Sequence, residues 1–342
     1  MRIIGFIITV LMAISATDKS YANDIGVQFS GFASFALSYT DDSDIGFASN
    51  YSNVNKSGFS VTRDSILGGQ ANISLSNNWD SVVQIVIQDH AFKSFDNFLE
   101  LAFVRYRTSR NWAIRAGRLN SDLYLLSEYP YVGYAYLWVR PPHSYYSFAN
   151  IAGNFDGIDV EYSKAINDGF LRLKLAYGGS TAKIQAYNDD FFIDFDNLTT
   201  LSATYSLDAW TMRFSLSRSG FGDYKLTALD EFISSLDSVP QSIWPQAQTI
   251  SNKFNTKGNS IKYAAFGLTY DYDNWLIQSE MGISESDWII APSVLNSYIS
   301  AGYRVNNAIF YTSFSAAKNR HNVIKVIDPV FSPGTPEQIS KP

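Results

Sequence analysis

The sequence has no cysteine, only three histidines and few charged residues. Without cysteine the chain cannot form disulfides, thiolate metal sites or a thiol nucleophile. The histidines (His90, His143 and His321) are scattered, so we expect neither a metal site nor a cofactor. Charged residues make up 17% of the chain, whereas about a quarter is usual in soluble domains. The net charge of −6 excludes the basic surface that binds nucleic acid.

A long apolar run is also missing after residue 22, where no stretch reaches the length of a transmembrane helix. Residues 1–22 instead match a secretory signal peptide. Arg2 provides the positive start, residues 3–14 form the apolar core, and residues 20–22 provide the small side chains of a cleavage site. An uncleaved anchor is the alternative. We therefore expect an exported protein whose mature domain covers residues 23–342.

What the sequence does have is aromatic residues, at 15%, and a side-chain pattern with a period of two. From Val27 to Thr40 the odd positions are mostly apolar, and the even positions are small and mostly polar. Residues 65–76 repeat this pattern. The alternation predicts β-strands with one apolar face. That face would pack inward in a soluble sandwich and would face lipid in a membrane barrel, so the period alone does not separate the two folds.

The connections between strands do separate them. Short polar turns alternate with long loops, and four of the short turns lead into a strand that begins with tryptophan. The short turns lie at 76–79, 109–112, 167–170, 207–210, 272–275 and 305–308, and the long connections at about 41–63, 119–153, 179–196 and 219–258. This layout is typical of outer-membrane barrels, and the tryptophans indicate an aromatic girdle at the periplasmic interface. The sequence predicts an all-β fold, a transmembrane antiparallel β-barrel.

The pattern gives an odd number of strands. They cover approximately 26–40, 64–76, 79–89, 98–108, 112–118, 155–163, 169–178, 198–207, 210–218, 260–271, 275–284, 293–304 and 308–316. Bacterial single-chain barrels have even strand numbers, and an unpaired edge is not tolerated in lipid. We therefore expect that about 13 strands of a 16-stranded barrel are present and that the sequence is truncated at its C-terminus. A miscounted strand is the alternative.

Two stretches resemble known families. Residues 99–106 (LELAFVRY) and 111–118 (NWAIRAGR) resemble the porin superfamily of Gram-negative bacteria. Residues 131–142 (YVGYAYLWVRPP) resemble a porin-like family of marine and environmental proteobacteria. The resemblance implies a homotrimeric, water-filled barrel in the outer membrane, with a third loop folded inward and small hydrophilic solutes passing by diffusion. Its partners would be the lipid bilayer and lipopolysaccharide.

A diffusion pore has no reaction to catalyse, so the candidate site residues are the charged side chains that face the lumen. The alternation places six basic residues there, namely Arg105, Arg107, Arg115, Arg172, Lys174 and Arg213, with Arg118 as a further candidate at a strand end. Asp159, Glu161 and Glu280 face the same way. A basic wall favours anions, so the sequence predicts an anion-preferring ion transport channel. Alternatively, these charges pair with loop carboxylates and hold the third loop in place.

The long connection at 119–153 is the candidate constriction, because idle connections are rarely this long. It carries Asp122, Glu128 and Arg140. Its tyrosines are at 124, 129, 131, 134, 136, 145 and 146. Tyrosine offers an apolar ring and a hydroxyl, which suits packing against a wet wall. An external loop at a trimer contact is the alternative.

Three further features give weaker predictions. Asp189, Asp190, Asp194 and Asp196 could bridge lipopolysaccharide phosphates through Ca²⁺, or form a solvated acidic loop. Residues 226–236 have the apolar spacing of a short helix. His90 beside Asp89, and His143 beside Ser144, leave open an outer-membrane barrel enzyme of lipase or protease type. A non-channel structural or adhesin barrel is the other alternative.

Overall fold

The chain folds into one antiparallel sheet of fifteen strands, thirteen long and two of three residues. A computed structural model describes residues 6–8, 25–41, 58–62, 64–89, 95–149, 153–186 and 189–320. The strands are β1 (Phe6–Ile8), β2 (Gly26–Thr40), β3 (Gly58–Ser60), β4 (Ile66–Ser74), β5 (Trp79–Ile87), β6 (Leu99–Arg107), β7 (Trp112–Asn120), β8 (Asn154–Ile166), β9 (Gly169–Ala186), β10 (Asp189–Leu207), β11 (Trp210–Lys225), β12 (Ser260–Tyr272), β13 (Trp275–Ser286), β14 (Val294–Val305) and β15 (Ala308–Asn319).

The long strands form an up-and-down meander, in which each pairs with the next along the chain from β2 through β4 to β15. β1 and β3 both pair with β2. Within the described residues the two ends of the sheet are not hydrogen-bonded to each other. The prediction of an all-β, antiparallel fold is confirmed. β1 lies within the segment predicted to be a signal peptide. Residues 1–5 and 9–24 lie outside the described residues, so that prediction stays untested.

The helices are short and lie in the connections. They are α1 (Phe95–Phe98), α2 (His143–Ala149), α3 (Thr227–Asp237) and α4 (Ala247–Lys253), with a 3₁₀ turn at Gly133–Ala135. α3 confirms the helix predicted at 226–236. No helix in the described part of the chain is long and apolar enough to span a membrane.

All six predicted short turns lie at one edge of the sheet, where they join successive strand pairs from β4–β5 to β14–β15. In four of them the first residue between the two strands has a positive φ between 47° and 53°, at Asn167, Asp208, Asp273 and Asn306. Asn and Asp adopt this left-handed conformation more readily than other non-glycine residues. The turn chemistry in the sequence therefore fixes these tight connections.

Three strands are longer than the alternation predicts. β9 continues to Ala186 instead of ending at 178, β10 begins at Asp189 instead of 198, and β11 continues to Lys225 instead of ending at 218. The connection predicted at 179–196 is therefore largely strand. The pattern is broken there because the β10 ladder shifts register between Phe195 and Leu198, where Asn197 has a φ of 53°. A β-bulge of this kind interrupts alternation without ending the strand.

The extended ends of these strands carry an apolar cluster with the helices of the longest loop. Leu229 and Leu236 of α3 and Ile250 of α4 pack with Trp288. The indole nitrogen of Trp288 donates a hydrogen bond to the carbonyl of Phe254 at 2.8 Å. This long-loop edge is therefore an ordered structure with its own small core.

The two faces of the sheet have opposite character. On β11, Met212, Phe214 and Leu216 are 43%, 43% and 40% exposed, whereas the intervening Arg213 and Ser215 are 5% and 1% exposed. A soluble sheet buries its apolar face and exposes its polar one. This sheet does the reverse, as in a barrel whose outer face meets lipid.

A belt of aromatic pairs follows the short-turn edge. Each of the four strand-opening tryptophans lies directly opposite a tyrosine on the neighbouring strand. The pairs are Trp79 with Tyr106, Trp112 with Tyr162, Trp210 with Tyr270 and Trp275 with Tyr303, with ring centroids 4.5–4.8 Å apart. The tryptophans lie at one edge as predicted, and the register supplies tyrosine partners that the sequence analysis missed.

Candidate functional site

The connection between β7 and β8, called here the inner loop (residues 121–149), lies against the polar face of the sheet. Its Trp138 donates from the indole nitrogen to Ser300 Oγ of β14 at 2.8 Å. Its Tyr131 is hydrogen-bonded to Glu100 of β6. One short segment thus contacts β6 and β14, which are eight strands apart in the sheet, so the sheet curves around the loop. The prediction that this connection folds inward is confirmed.

The start of the inner loop is held by Asp122. Lys174 Nζ lies 3.4 Å from the Asp122 carboxylate, and Ser202 Oγ donates to it at 2.7 Å. Arg213 forms an ion pair with the same carboxylate and donates from Nη2 to the Asp122 carbonyl at 3.0 Å. Lys174, Ser202 and Arg213 belong to β9, β10 and β11. One loop carboxylate therefore joins three strands.

Glu128 provides a second anchor on the same strands. Arg172 Nη1 lies 2.7 Å from its carboxylate and Lys174 Nζ lies 3.1 Å away. Burial alone would raise the pKa of Glu128, but Lys174 and Arg172 outweigh it, so the pKa lies below its ordinary value of 4.5. Glu128 is therefore ionised, and paired with both cations, at neutral pH.

A buried carboxylate on the opposite wall holds the middle of the loop. Glu280 of β13 accepts a hydrogen bond from the Leu125 backbone N–H at 2.9 Å and one from Tyr298 Oη at 2.8 Å. Tyr145 and Tyr146 also donate to it. A buried carboxylate is tolerated only when such donors surround it. The tyrosine-rich sequence of the loop therefore has a structural role here.

Two glycines in the wall make room for loop side chains. Gly267 lies directly opposite Glu280, and a Cβ at Gly267 would lie 2.7 Å from Leu125 Cγ. A Cβ at Gly302 would overlap Leu137 in the same way. Neither glycine contact could be predicted, because the sequence around a strand glycine does not indicate which distant side chain packs on it.

A row of four charged residues crosses β5 to β8 on the inner face. Asp80, Arg105, Arg115 and Asp159 lie directly opposite one another in consecutive strand pairs. Arg105 Nη2 lies 2.8 Å from Asp80, and Arg115 Nε donates to Asp159 at 2.9 Å. Arg107 also forms an ion pair with Asp80. Each of the two central arginines therefore has a carboxylate partner on the strand beside it.

The structure places the six basic residues predicted to face the lumen on that face, and each forms an ion pair. Arg105 and Arg107 share Asp80, Arg115 contacts Asp159, Arg172 contacts Glu128, Arg213 contacts Asp122, and Lys174 contacts Asp122, Glu128 and Glu161. These contacts favour the alternative in which the charges hold the loop. Anion preference itself stays a prediction.

Arg118 is the residue that the sequence analysis placed wrongly. It lies opposite Asp156, two residues along the strands from the pair of Ala116 and Ile158, and therefore on the same exposed face. It forms ion pairs with Asp96 and Asp156 at 2.9 and 2.8 Å. By register it therefore lies on the apolar outer face, near the long-loop edge. Its pairing with α1 explains this position, because Asp96 lies in the first turn of that helix.

The remaining candidates lie apart from the inner loop's anchors or outside the described side chains, and the latter include those of Asp189 and Asp190. Arg140 pairs with Asp64, which precedes β4, and so ties the inner loop to that end of the sheet. Asp194 accepts a hydrogen bond from Thr181 at 2.6 Å across β9 and β10. His143 is exposed at the start of α2, whereas His90 and His321 lie outside the described residues. In the part of the chain that is described, no group of three or more His, Asp or Glu side chains could hold a metal ion.

Comparison with known proteins gives structural likeness without sequence support. No family model matches the chain, and no curated protein does. OmpF of Salmonella typhi is 12% identical with a TM-score of 0.49, over 90% of this chain and 82% of that one. An anion-selective porin from Comamonas acidovorans is 10% identical with a TM-score of 0.37, over 87% and 90%. The channel DcaP of Acinetobacter baumannii is 15% identical with a TM-score of 0.40, over 89% and 94%. The chain is thus similar to outer-membrane porins and channels in fold, with identities of 10–15%.

Proposed function

We propose that this protein is an outer-membrane porin, a water-filled channel for passive diffusion of small hydrophilic solutes. The observation that carries the proposal is the inner loop, which lies against the polar face of a sheet whose other face is apolar and exposed. An apolar outer face with an aromatic belt is suited to a bilayer. A polar face narrowed by a loop is suited to a pore.

Water-accessible charges beside the loop favour a channel over a filled barrel. The side chains of Arg105, Arg107 and Arg172 are 33%, 44% and 28% exposed, and Glu128 is 33% exposed. These residues lie on the inner face or on the loop that covers it. The space that they border is therefore hydrated, as passage of polar solutes requires.

The charge balance supports weak rather than strong ion selectivity. Arg105 and Arg107 share the single carboxylate of Asp80, which leaves one cation in excess near the short-turn edge. Further along the wall, Arg172 and Lys174 face Asp122, Glu128 and Glu161. A single exposed charge in a wide pore is strongly screened by salt. We therefore propose a mild anion preference, and a trimer as the assembly.

Liposome swelling tests the channel directly. Purified protein reconstituted into dextran-loaded vesicles is diluted into isotonic pentose, and the fall in light scattering is recorded. We expect swelling with pentose and none with a polysaccharide of several kilodaltons. Protein-free vesicles are the control. Absence of swelling, with circular dichroism showing intact β-structure in the same vesicles, would leave a non-channel structural barrel.

A further inference from the structure

On the outer face, two basic residues lie side by side next to the apolar surface. Arg218 of β11 and Lys262 of β12 lie directly opposite each other. Both are exposed, and both lie on the face of Leu216 and Phe266. A cation on a lipid-facing strand is costly near the bilayer midplane and tolerated near the interface. The energetic cost of these two cations therefore depends on their position along the strands.

That position is at the long-loop edge of the apolar band. Arg218 is eight residues beyond Trp210, which opens β11 in the aromatic belt. At about 3.3 Å per residue this is about 26 Å along the strand. Strands in such barrels are tilted by about 35–45° and the apolar band is about 25 Å tall. The tilt reduces this distance to a height of about 18–21 Å, so the two backbone positions lie a few ångströms inside the far boundary of the band. Their long side chains reach from there to the lipid headgroups on the side opposite the belt.

Neither cation is neutralised by the protein. Among the residues that the structure describes, no ion pair involves Arg218 or Lys262. Glu285 lies opposite Lys262, but its ion pair is with Arg320, at 3.7 Å. Asp196 is exposed opposite Gly220, two residues beyond Arg218, so these five charges leave an excess of one positive charge at this level. Such a pair, side by side on adjacent strands, matches an anionic headgroup.

An apolar groove continues from the two cations toward the middle of the band. Its outward-facing lining is Thr199, Leu201, Leu216, Ala264 and Ile283 with Arg218, Lys262 and Glu285, and its volume is about 610 Å³. The groove exists because Ala264 lies between Leu216 and Ile283 on consecutive strands. A small side chain between two larger ones leaves an apolar furrow along the strands, and an acyl chain is an apolar group of elongated shape that suits it.

We propose that this groove binds one phosphate-bearing anionic lipid, with the phosphate on Arg218 and Lys262 and an acyl chain along Ala264. Charge complementarity at the upper end and apolar lining below select an amphiphile over a free ion. The inference rests on the proposed function, because it requires that the outer face meets lipid. It identifies Arg218 and Lys262 as the residues through which the barrel binds a lipid phosphate.

Native mass spectrometry of the detergent-solubilised protein tests the site, with phosphatidic acid as the probe and phosphatidylcholine of the same chains as comparison. We expect preferential retention of phosphatidic acid. Removing two charge-assisted contacts in the double variant R218Q/K262Q should weaken it by at least about tenfold. The matched control is R110Q/K164Q, which removes two exposed charges at the short-turn edge. Equal weakening in the control, or no change in R218Q/K262Q, would overturn the proposal.

A second variant tests the groove without changing charge. Ala264→Phe fills the space between Leu216 and Ile283 and should weaken phosphatidic acid binding while leaving the two cations in place. Inorganic phosphate that competes as well as the lipid would mean that the groove contributes nothing, and would overturn the lipid assignment. Liposome swelling by the same preparations keeps the two proposals apart. Lipid binding without swelling contradicts the channel alone, and swelling with unselective lipid binding contradicts the site alone.

Discussion

Lys174 Nζ of β9 lies 3.1 Å from Glu128 of the inner loop, and the two residues are 46 positions apart in the chain. The same ammonium group lies within 3.6 Å of Glu161 on β8. A lysine this buried, with 5% of its side chain exposed, needs such partners to remain charged. The basic residues of the wall therefore position the inner loop through these ion pairs.

Glu128→Gln should loosen the inner loop. The variant leaves Arg172 and Lys174 without one of their carboxylates, and we expect more frequent current fluctuations in single-channel records at pH 7. Glu231→Gln on the exposed face of α3 removes the same charge outside the pore and is the control. Quiet, wild-type-like records from E128Q would show that Glu128 does not hold the loop.

Acid should reproduce this effect in the wild type. Because the pKa of Glu128 is depressed below 4.5, its ion pairs are complete at neutral pH and are lost as the pH falls through that lowered value. We expect steady currents at neutral pH and added fluctuations only once the pH has fallen below 4.5, the ordinary value. The extra component should be missing in E128Q. Its presence there at equal size would assign the acid effect to another group.

Gly267→Ala should displace Leu125 and weaken the contact between its N–H and Glu280. Overpacking of this kind typically costs about 1–3 kcal/mol. We expect a lower unfolding midpoint in guanidinium and a changed single-channel conductance. Gly69→Ala is the matched control, because a Cβ at Gly69 meets nothing within 4 Å. Wild-type conductance in G267A would mean that the loop does not set the width of the pore.

The double variant R105Q/R107Q should reduce anion preference. It removes the two cations that share Asp80, and we expect the anion-to-cation permeability ratio to fall on the order of twofold. Reversal potentials in planar bilayers under a KCl gradient measure this ratio. Arg110→Gln, in the exposed short turn, is the control. Clear cation selectivity of the wild type would contradict the proposed preference itself.

The aromatic pairs should couple across strands. For Trp79 and Tyr106, whose rings are 4.6 Å apart, a cycle of W79A, Y106A and the double variant should give a coupling of about 0.5–1.5 kcal/mol. The free energy of unfolding from lipid vesicles is the measured quantity. Trp79 paired with the distant Tyr303 in the same cycle should give additive effects. Equal coupling in both cycles would mean that the belt acts through membrane insertion and not through ring contact.

The strands and short turns could be predicted because both signals are local. Alternation decides the face of each side chain, and Asn or Asp at a turn decides the left-handed residue. The partners of the inner loop could not be predicted, since the contact of Leu125 with Glu280 depends on how far the sheet curves. Arg118 was misplaced because a strand end gives too few positions to fix its face. The same limitation hid the extension of β10 past Asn197, where the register shifts.

The long strands of the sheet differ in length, and this difference shapes the long-loop edge. β4 to β7 are nine residues long, whereas β9, β10 and β11 have 18, 19 and 16. Since the short turns lie at a common edge, the excess projects entirely at the other edge, by roughly 20–30 Å along the strands. This edge of the sheet is thus slanted, high along β9 to β11, next to α3 and α4, and low along β4 to β7. In the proposed channel a bulky solute enters most freely over the low side, and it meets the row of Asp80, Arg105, Arg115 and Asp159 only at the other end, next to the aromatic belt.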